Sequence, residues 1–274
     1  MDEKYGVKYL FANVNGERRH ISQVESGDLG LCPLCNGQLR AYHGEKNQWH
    51  WRHVDLFDCD PWHEGKTPWH KDWQDKFPLG WQEVAMRSET ERHFADVKTS
   101  TGTVIEFQHS SMDRDTRQVR ERFYGNMLWV VDGDAKKRTF ERMRKNLKDR
   151  VEQGSHMSVL NVREVEKILP EEWCESDKLV LFDFKILPWM LALCPEKALD
   201  GRRIIYLVKR DEFVSRLTAG QSLFVRSEAE PRSVLHRSIS IVPMQLRPQA
   251  HKFISKGQYF KLKRAGYNFR GGRF

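Results

Sequence analysis

The sequence lacks any apolar run close to the roughly 18 residues that a membrane-spanning helix needs, and 31% of its 274 residues are charged. The opening stretch, "MDEKYGVKYLFANVNGERRH", does not have the basic, apolar, small-residue order of a secretory signal. Only five cysteines are present, at uneven spacing, which argues against a disulfide scaffold. No internal repeat or low-complexity tract interrupts the chain. These absences make the cytoplasm the expected compartment and leave no role for a membrane. The length permits one large domain or two, with a sizeable core.

A further absence is local. From Pro231 to Phe274 there is no Asp or Glu, whereas ten Lys or Arg occur. Among these are Lys252, Lys256, Lys261, Lys263, Arg264 and Arg270. The segment carries +10 of a net +8, which leaves −2 for the first 230 residues. Phe253, Tyr259, Phe260, Tyr267, Phe269 and Phe274 are interleaved with the cations. Lysine and arginine neutralise phosphates and aromatic rings stack on unpaired bases, so this is a nucleic-acid-binding pattern. A basic extension whose rings dock on the protein's own core is the plainer alternative.

What is present falls into three segments: 1–62, rich in Gly, Cys, His and Trp; 63–152, with a clear order of elements; and a basic 153–274. The middle segment predicts a helix over Pro68–Phe77, a strand at Trp81–Met86 and a hairpin over 93–110. A helix over 113–124 and a strand from Met127 follow. That order, αβββαβ, predicts an α/β (α+β) mixed sheet with helices packed on it. Beyond 155, "KLVLFDFKIL", "RRIIYLVKR" and a helix near Asp211–Leu217 are the only clear elements.

Cys32 and Cys35 form a C-x2-C knuckle, and His50 and His53 follow after a gap of 14 residues. Two thiols and two imidazoles are the soft and borderline ligands that tetrahedral Zn2+ accepts. Cys59, His43 and His63 lie near enough in sequence to replace one of them. Four protein ligands close the coordination sphere, so this zinc would be structural. A redox C-x2-C is the rival, and it would leave the histidines without a role.

The stretch "HFADVKTSTGTVIEFQHS" places Asp96 on one strand and Glu106 and Gln108 on the next. Glu106 and Gln108 are two apart and share a face. A turn centred on Thr101 sets Asp96 opposite Glu106. Two close carboxylates repel, and a divalent cation with a taste for hard oxygen, Mg2+ or Mn2+, relieves the repulsion. The Phe107 carbonyl is a third candidate oxygen. Exposed polar residues on a surface hairpin are the simpler explanation, disfavoured because "TVIEFQ" leads into the centre of the expected sheet.

Together these residues resemble the competence protein CoiA-like family within the PD-(D/E)XK nuclease superfamily. The likeness runs in order through Cys32 and Cys35, "HWRH", Glu64, "PWHKDW" with His70, "FADV" with Asp96 and "IEFQHS". It ends with Arg120-x3-Tyr124 and "LWVV", covering residues 30–133. The resemblance implies a metal-dependent deoxyribonuclease in DNA uptake, processing or defence. It places Asp96, Glu106 and Gln108 at the catalytic centre, His70 as a phosphate contact or proton donor, and Glu64 or Glu83 as a further metal ligand. The superfamily's usual lysine is Gln108 here; an amide orients water but supplies no charge. Lys71 or Lys98 could replace it, the cut could be slow, or the fold could bind without cutting. Arg114, Arg117 and Arg120 recur every three residues, a spacing suited to phosphate contacts or to a salt-bridged helix surface. Three functions follow: a nuclease acting on single- or double-stranded DNA, a non-cutting DNA-binding protein, or a zinc-stapled scaffold whose basic tail binds an acidic protein. A protein partner or homo-oligomer is compatible with each.

Overall fold

A computed structural model describes residues 8–44, 48–55, 59–62, 65–135, 139–143, 145, 157–160, 162–187, 189–197, 203–221, 223, 225–226 and 239–240. Composition places boundaries near 62 and 152; packing places one, between the compact units Met1–Lys98 and Thr99–Phe274.

In the first unit, β1 (Phe11–Val14), β2 (Glu17–His20), β3 (Leu29–Leu31), β4 (Gln38–Tyr42) and β5 (His50–His53) form a sheet in the order β2-β1-β3-β4-β5. Every neighbouring pair is antiparallel. The β1–β2 hairpin turns on Asn15-Gly16, with φ of +52° and +83°, the left-handed pair that a two-residue hairpin loop needs. β3 and β4 alternate exposed and buried residues, as expected of a sheet with one covered face. That covered face packs Leu39, Ala41 and Trp51 into a core with Tyr9, Ile21, Leu34 and Phe94.

Helix α1 (Pro68–Gln74) begins as expected: the Thr67 hydroxyl accepts from the His70 amide, and Pro68 occupies the first turn. It stops three residues before Phe77, whose successor Pro78 disfavours helical backbone at the preceding residue. β6 (Gln82–Arg87) and β7 (Arg92–Lys98) pair antiparallel.

The second unit opens with the Thr99–Thr103 turn, where the Thr99 amide donates to the Thr103 carbonyl at 2.9 Å and the Thr103 amide to Thr99 Oγ1 at 3.0 Å. β8 (Val104–Gln108), α2 (Arg114–Tyr124) and β9 (Met127–Asp132) follow. Next come β10 (Met157–Leu160), α3 (Val162–Ile168), α4 (Glu171–Cys174), β11 (Leu179–Asp183), β12 (Trp189–Lys197), β13 (Arg203–Lys209) and α5 (Arg210–Thr218). Strand order is β10-β13-β12-β11-β9-β8. β8, β9 and β11 run parallel to one another and the remaining pairs antiparallel. Every residue of β8, β9 and β11 is buried, as parallel strands covered on both faces require. The αβββαβ order of the middle segment is therefore present, as a mixed α+β arrangement. Among the described residues no helix is long and apolar enough to cross a membrane.

Candidate functional site

Three groups of polar side chains stand out, one on the sulfur-rich knuckle, one around Asp96, and one on β8 and the strands beside it.

The knuckle brings together Cys32, Cys35, His53 and Cys59, whose ligand atoms all lie within 4.8 Å of one another. Cys32 Sγ is 3.7 Å from Cys59 Sγ, and Cys35 Sγ is 3.2 Å from His53 Nε2. Zinc–sulfur bonds of about 2.3 Å at tetrahedral angles put two sulfurs about 3.8 Å apart, so the donor set fits a metal such as zinc. The Leu34 amide donates to Cys32 Sγ at 3.4 Å and the Gly37 amide to Cys35 Sγ at 3.3 Å. A Cβ on Gly37 would lie 3.1 Å from Cys35 Sγ and 3.2 Å from His53 Cδ2. The adjacent residue holds Cys59 in place. Asp60 accepts from His93 Nδ1 and the Phe94 amide, both at 2.8 Å, and from the Trp62 amide at 3.0 Å. The contact between the thiols lowers Cys32 below its ordinary value and, with burial, pushes Cys59 up to about 12. Two sulfurs this close cannot both carry charge unaided, and a cation bound to both removes the conflict.

His50 is not in this group, contrary to the expected C-x2-C…H-x2-H set. Residues three apart share a face on a helix but point to opposite faces on a strand. "HWRH" is β5, so His53 faces the core and His50 the other side. There His50 Nδ1 contacts the Gln48 carbonyl at 2.8 Å, and its ring stacks on Tyr42. Cys59, 24 residues beyond Cys35, takes its place.

The Asp96 group is built on α1, β6 and β7. His70 Nε2 lies 3.0 Å from Asp96 Oδ1, and Gln74 Nε2 donates to the Asp96 carbonyl at 2.8 Å. Lys66 Nζ donates to Gln74 Oε1 at 2.9 Å and also to Glu83 Oε1. The other oxygen of Glu83 accepts from the Leu10 amide at 2.7 Å, and its backbone is left-handed at φ +47°. Both oxygens of Glu83 are thus engaged, one by Lys66 and one by the Leu10 amide. Glu64 lies outside the described residues. Lys71 is paired with Asp75 at 2.8 Å on the surface; Lys66, which no spacing rule singles out, reaches the Asp96 carbonyl through Gln74.

On β8, Glu106 and Gln108 share a face and both are buried, and Phe107 between them is buried as well. Arg120 NH1 approaches Glu106 Oε2 at 4.0 Å. The Gln108 amide donates to Ser110 Oγ at 2.8 Å and to the Ser110 carbonyl at 3.2 Å.

Arg117 and Arg120 are not surface phosphate contacts: they are 1% and 7% exposed. Arg117 NH1 donates to both Glu121 oxygens at 2.7 Å and its Nε to the Glu172 carbonyl at 2.9 Å. Glu121 also accepts from Trp129 Nε1 at 3.1 Å and from the Ser176 hydroxyl at 2.5 Å. The spacing of three that looked like a basic surface is the inward face of α2, and the i,i+4 pair Arg117–Glu121 was its sequence signal. Arg114 is exposed and pairs with Glu175. Lys252, Lys256, Lys261, Lys263, Arg264 and Arg270 lie outside the described residues.

A cavity of about 300 Å³ opens at the carboxyl ends of β8, β9 and β11, lined by His109, Ser111, Asp132, Thr139, Trp173 and Phe182 among others. The Asp132 carboxylate is fully buried. It accepts from His109 Nδ1 at 2.8 Å, from Lys185 Nζ at 3.2 Å and from the Asp134 amide at 3.0 Å. Carboxyl ends of parallel strands are where open α/β sheets hold ligands. The "HS" that follows β8 and the "DG" at the end of β9 are the available signal.

No protein-family model matches the chain, and neither does any curated protein or solved structure.

Proposed function

We propose that the chain is a divalent-metal-dependent deoxyribonuclease of the PD-(D/E)XK type, related to CoiA-like proteins, with a zinc-stabilised first unit. The observation that carries the reading is the 3.0 Å contact of His70 with Asp96. The resemblance names both residues, 26 positions apart, and a histidine locked onto a half-buried carboxylate is common at metal sites. Asp96 and Glu106 would hold Mg2+ or Mn2+, with the Phe107 carbonyl and Glu64 as further oxygens. Such an ion polarises a phosphate and lowers the pKa of bound water. His70 fixes Asp96 by one oxygen, and Lys66 holds Gln74 against the main chain of the same residue. Gln108 orients water. The basic tail binds the DNA backbone. Zinc on Cys32, Cys35, His53 and Cys59 staples the knuckle to β5 and to the segment before α1.

A non-cutting DNA-binding protein is the second reading. What favours it is the Gln108 amide, which is occupied by Ser110 and carries no charge.

Cleavage of labelled DNA with Mg2+ or Mn2+ separates the two. Asp96→Ala and Glu106→Ala are expected to lose at least a thousandfold in rate while DNA affinity stays within about twofold. A wild type that cuts no DNA with either ion gives the lead to the second reading. A variant that cuts at the wild-type rate removes that residue from the site.

A further inference from the structure

The strand parity that takes His50 away from the sulfur cluster places it on the outer face of the first sheet. Register assigns that face Phe11 and Asn13 from β1, Arg18 and His20 from β2, and Leu29 and Leu31 from β3. It adds Gln38, Arg40 and Tyr42 from β4 and His50 and Arg52 from β5. Among these strand residues there are three arginines, two histidines and no acid. The β1–β2 end is covered, since Arg18 lies over the Phe11 ring and donates to the Glu83 carbonyl at 3.1 Å. The other end is open on β3 and β4, where Leu29 and Leu31 are 47% and 48% exposed and Gln38 and Arg40 are exposed too, while Tyr42 and Arg52 are half-buried and His50 is buried at its edge.

Two features of the open end bear on a ligand. Arg40 and Arg52 are directly opposite each other across β4 and β5. A phosphate over that pair is within reach of two guanidinium groups at once. Beside them, Tyr42 and His50 stack with centroids 5.5 Å apart at 15°, and the Arg52 guanidinium lies 4.4 Å from the Tyr42 centroid. At the end of the same hairpin, Trp49 is 46% exposed and stacks on His43 at 4.0 Å and 6°.

We infer that this open face is a binding platform for single-stranded DNA. Guanidinium groups meet phosphates, and planar rings and leucines meet unpaired bases, whose faces a duplex hides. Strands about 4.8 Å apart give three strands room for two or three nucleotides. The choice of DNA over RNA rests on the proposed nuclease reading; the platform itself requires no cleavage and lies apart from the carboxylates.

The test is fluorescence anisotropy of a labelled twelve-nucleotide thymidine strand with the full chain, in buffer without Mg2+ or Mn2+. The double variant Arg40→Glu/Arg52→Glu is expected to bind at least tenfold more weakly. Its salt slope should be shallower by more than one, at about 0.7 per lost single-strand phosphate contact. Tyr42→Ala is expected to weaken binding about fivefold or more with the slope unchanged, which marks stacking rather than charge. The control Arg92→Glu, an exposed charge swap on β7, is expected to stay within twofold. Wild-type protein photo-crosslinked to an iodouracil-substituted strand should be labelled within residues 38–54, a readout that needs no variant to fold. Variants indistinguishable from the control, crosslinks confined to other segments, or tighter binding of a twelve-base-pair duplex or a uridine strand would each overturn the platform. A wild type that binds here but never cuts leaves the platform standing and removes only the nuclease.

Discussion

The antiparallel sheet of the first unit and the parallel strands of the second handle charge in opposite ways. β3 and β4 keep one face dry and one face wet, and on β5 parity decides which side chains meet the sulfur cluster and which do not. β8, β9 and β11 are buried along their whole length, so their polar residues must find partners inside or emerge at the carboxyl ends. His53 and His50 illustrate the first rule. Glu106 inside and His109 with Asp132 at the ends illustrate the second. A residue's meaning for function therefore depends on which kind of sheet holds it.

The sharpest way to break this contrast is at the knuckle. Cys59→Ser should abolish stoichiometric zinc and unfold much of the first unit, since structural zinc sites contribute about 10 kcal/mol or more. His50→Ala should keep one zinc per chain and cost only about 1 kcal/mol from the lost ring stack. Elemental analysis with thermal melts distinguishes them; equal zinc loss in both variants would restore the C-x2-C…H-x2-H set. Zinc retention should fall as pH falls, because protons compete for thiolates and imidazole.

The next effect lies inside the second unit. Arg117→Ala leaves Glu121 buried without its cationic partner and should cost about 3–5 kcal/mol in denaturant unfolding. If Arg117 were instead a phosphate contact, stability would hold and DNA affinity would drop. Smallest is Gly37→Ala, where a methyl would press on Cys35 Sγ and His53 Cδ2 at 3.1 and 3.2 Å. Zinc affinity, measured by competition with a chelator, should fall about tenfold with the fold retained.

Much of this was legible in the chain. Proline in a first turn and the alternation around Asp96, Glu106 and Gln108 located α1 and β6 through β9 to within a few residues. The C-x2-C pair located the knuckle. Three things were not legible, each for a physical reason. H-x2-H has no fixed meaning until the backbone is known to be helix or strand, so the pattern alone makes His50 look like a ligand. Cys59 is one of three replacement ligands that sequence proximity offers, with His43 and His63, and only the tertiary anchoring of Asp60 to His93 and Phe94 selects it. Buried ion pairs look like surface ones in a sequence, so Arg117 read as a cation for DNA, whereas Lys66, the cation tied to Asp96 through Gln74, carried no mark at all.

The central proposal is that Asp96 and Glu106 share one divalent ion. Its most direct test is calorimetric titration of Mn2+ into the zinc-loaded full chain, with no DNA present. One Mn2+ per chain in the wild type, lost in both Asp96→Asn and Glu106→Gln with zinc content unchanged, is the result expected. No Mn2+ binding to the wild type, or binding that survives in both variants, would contradict it.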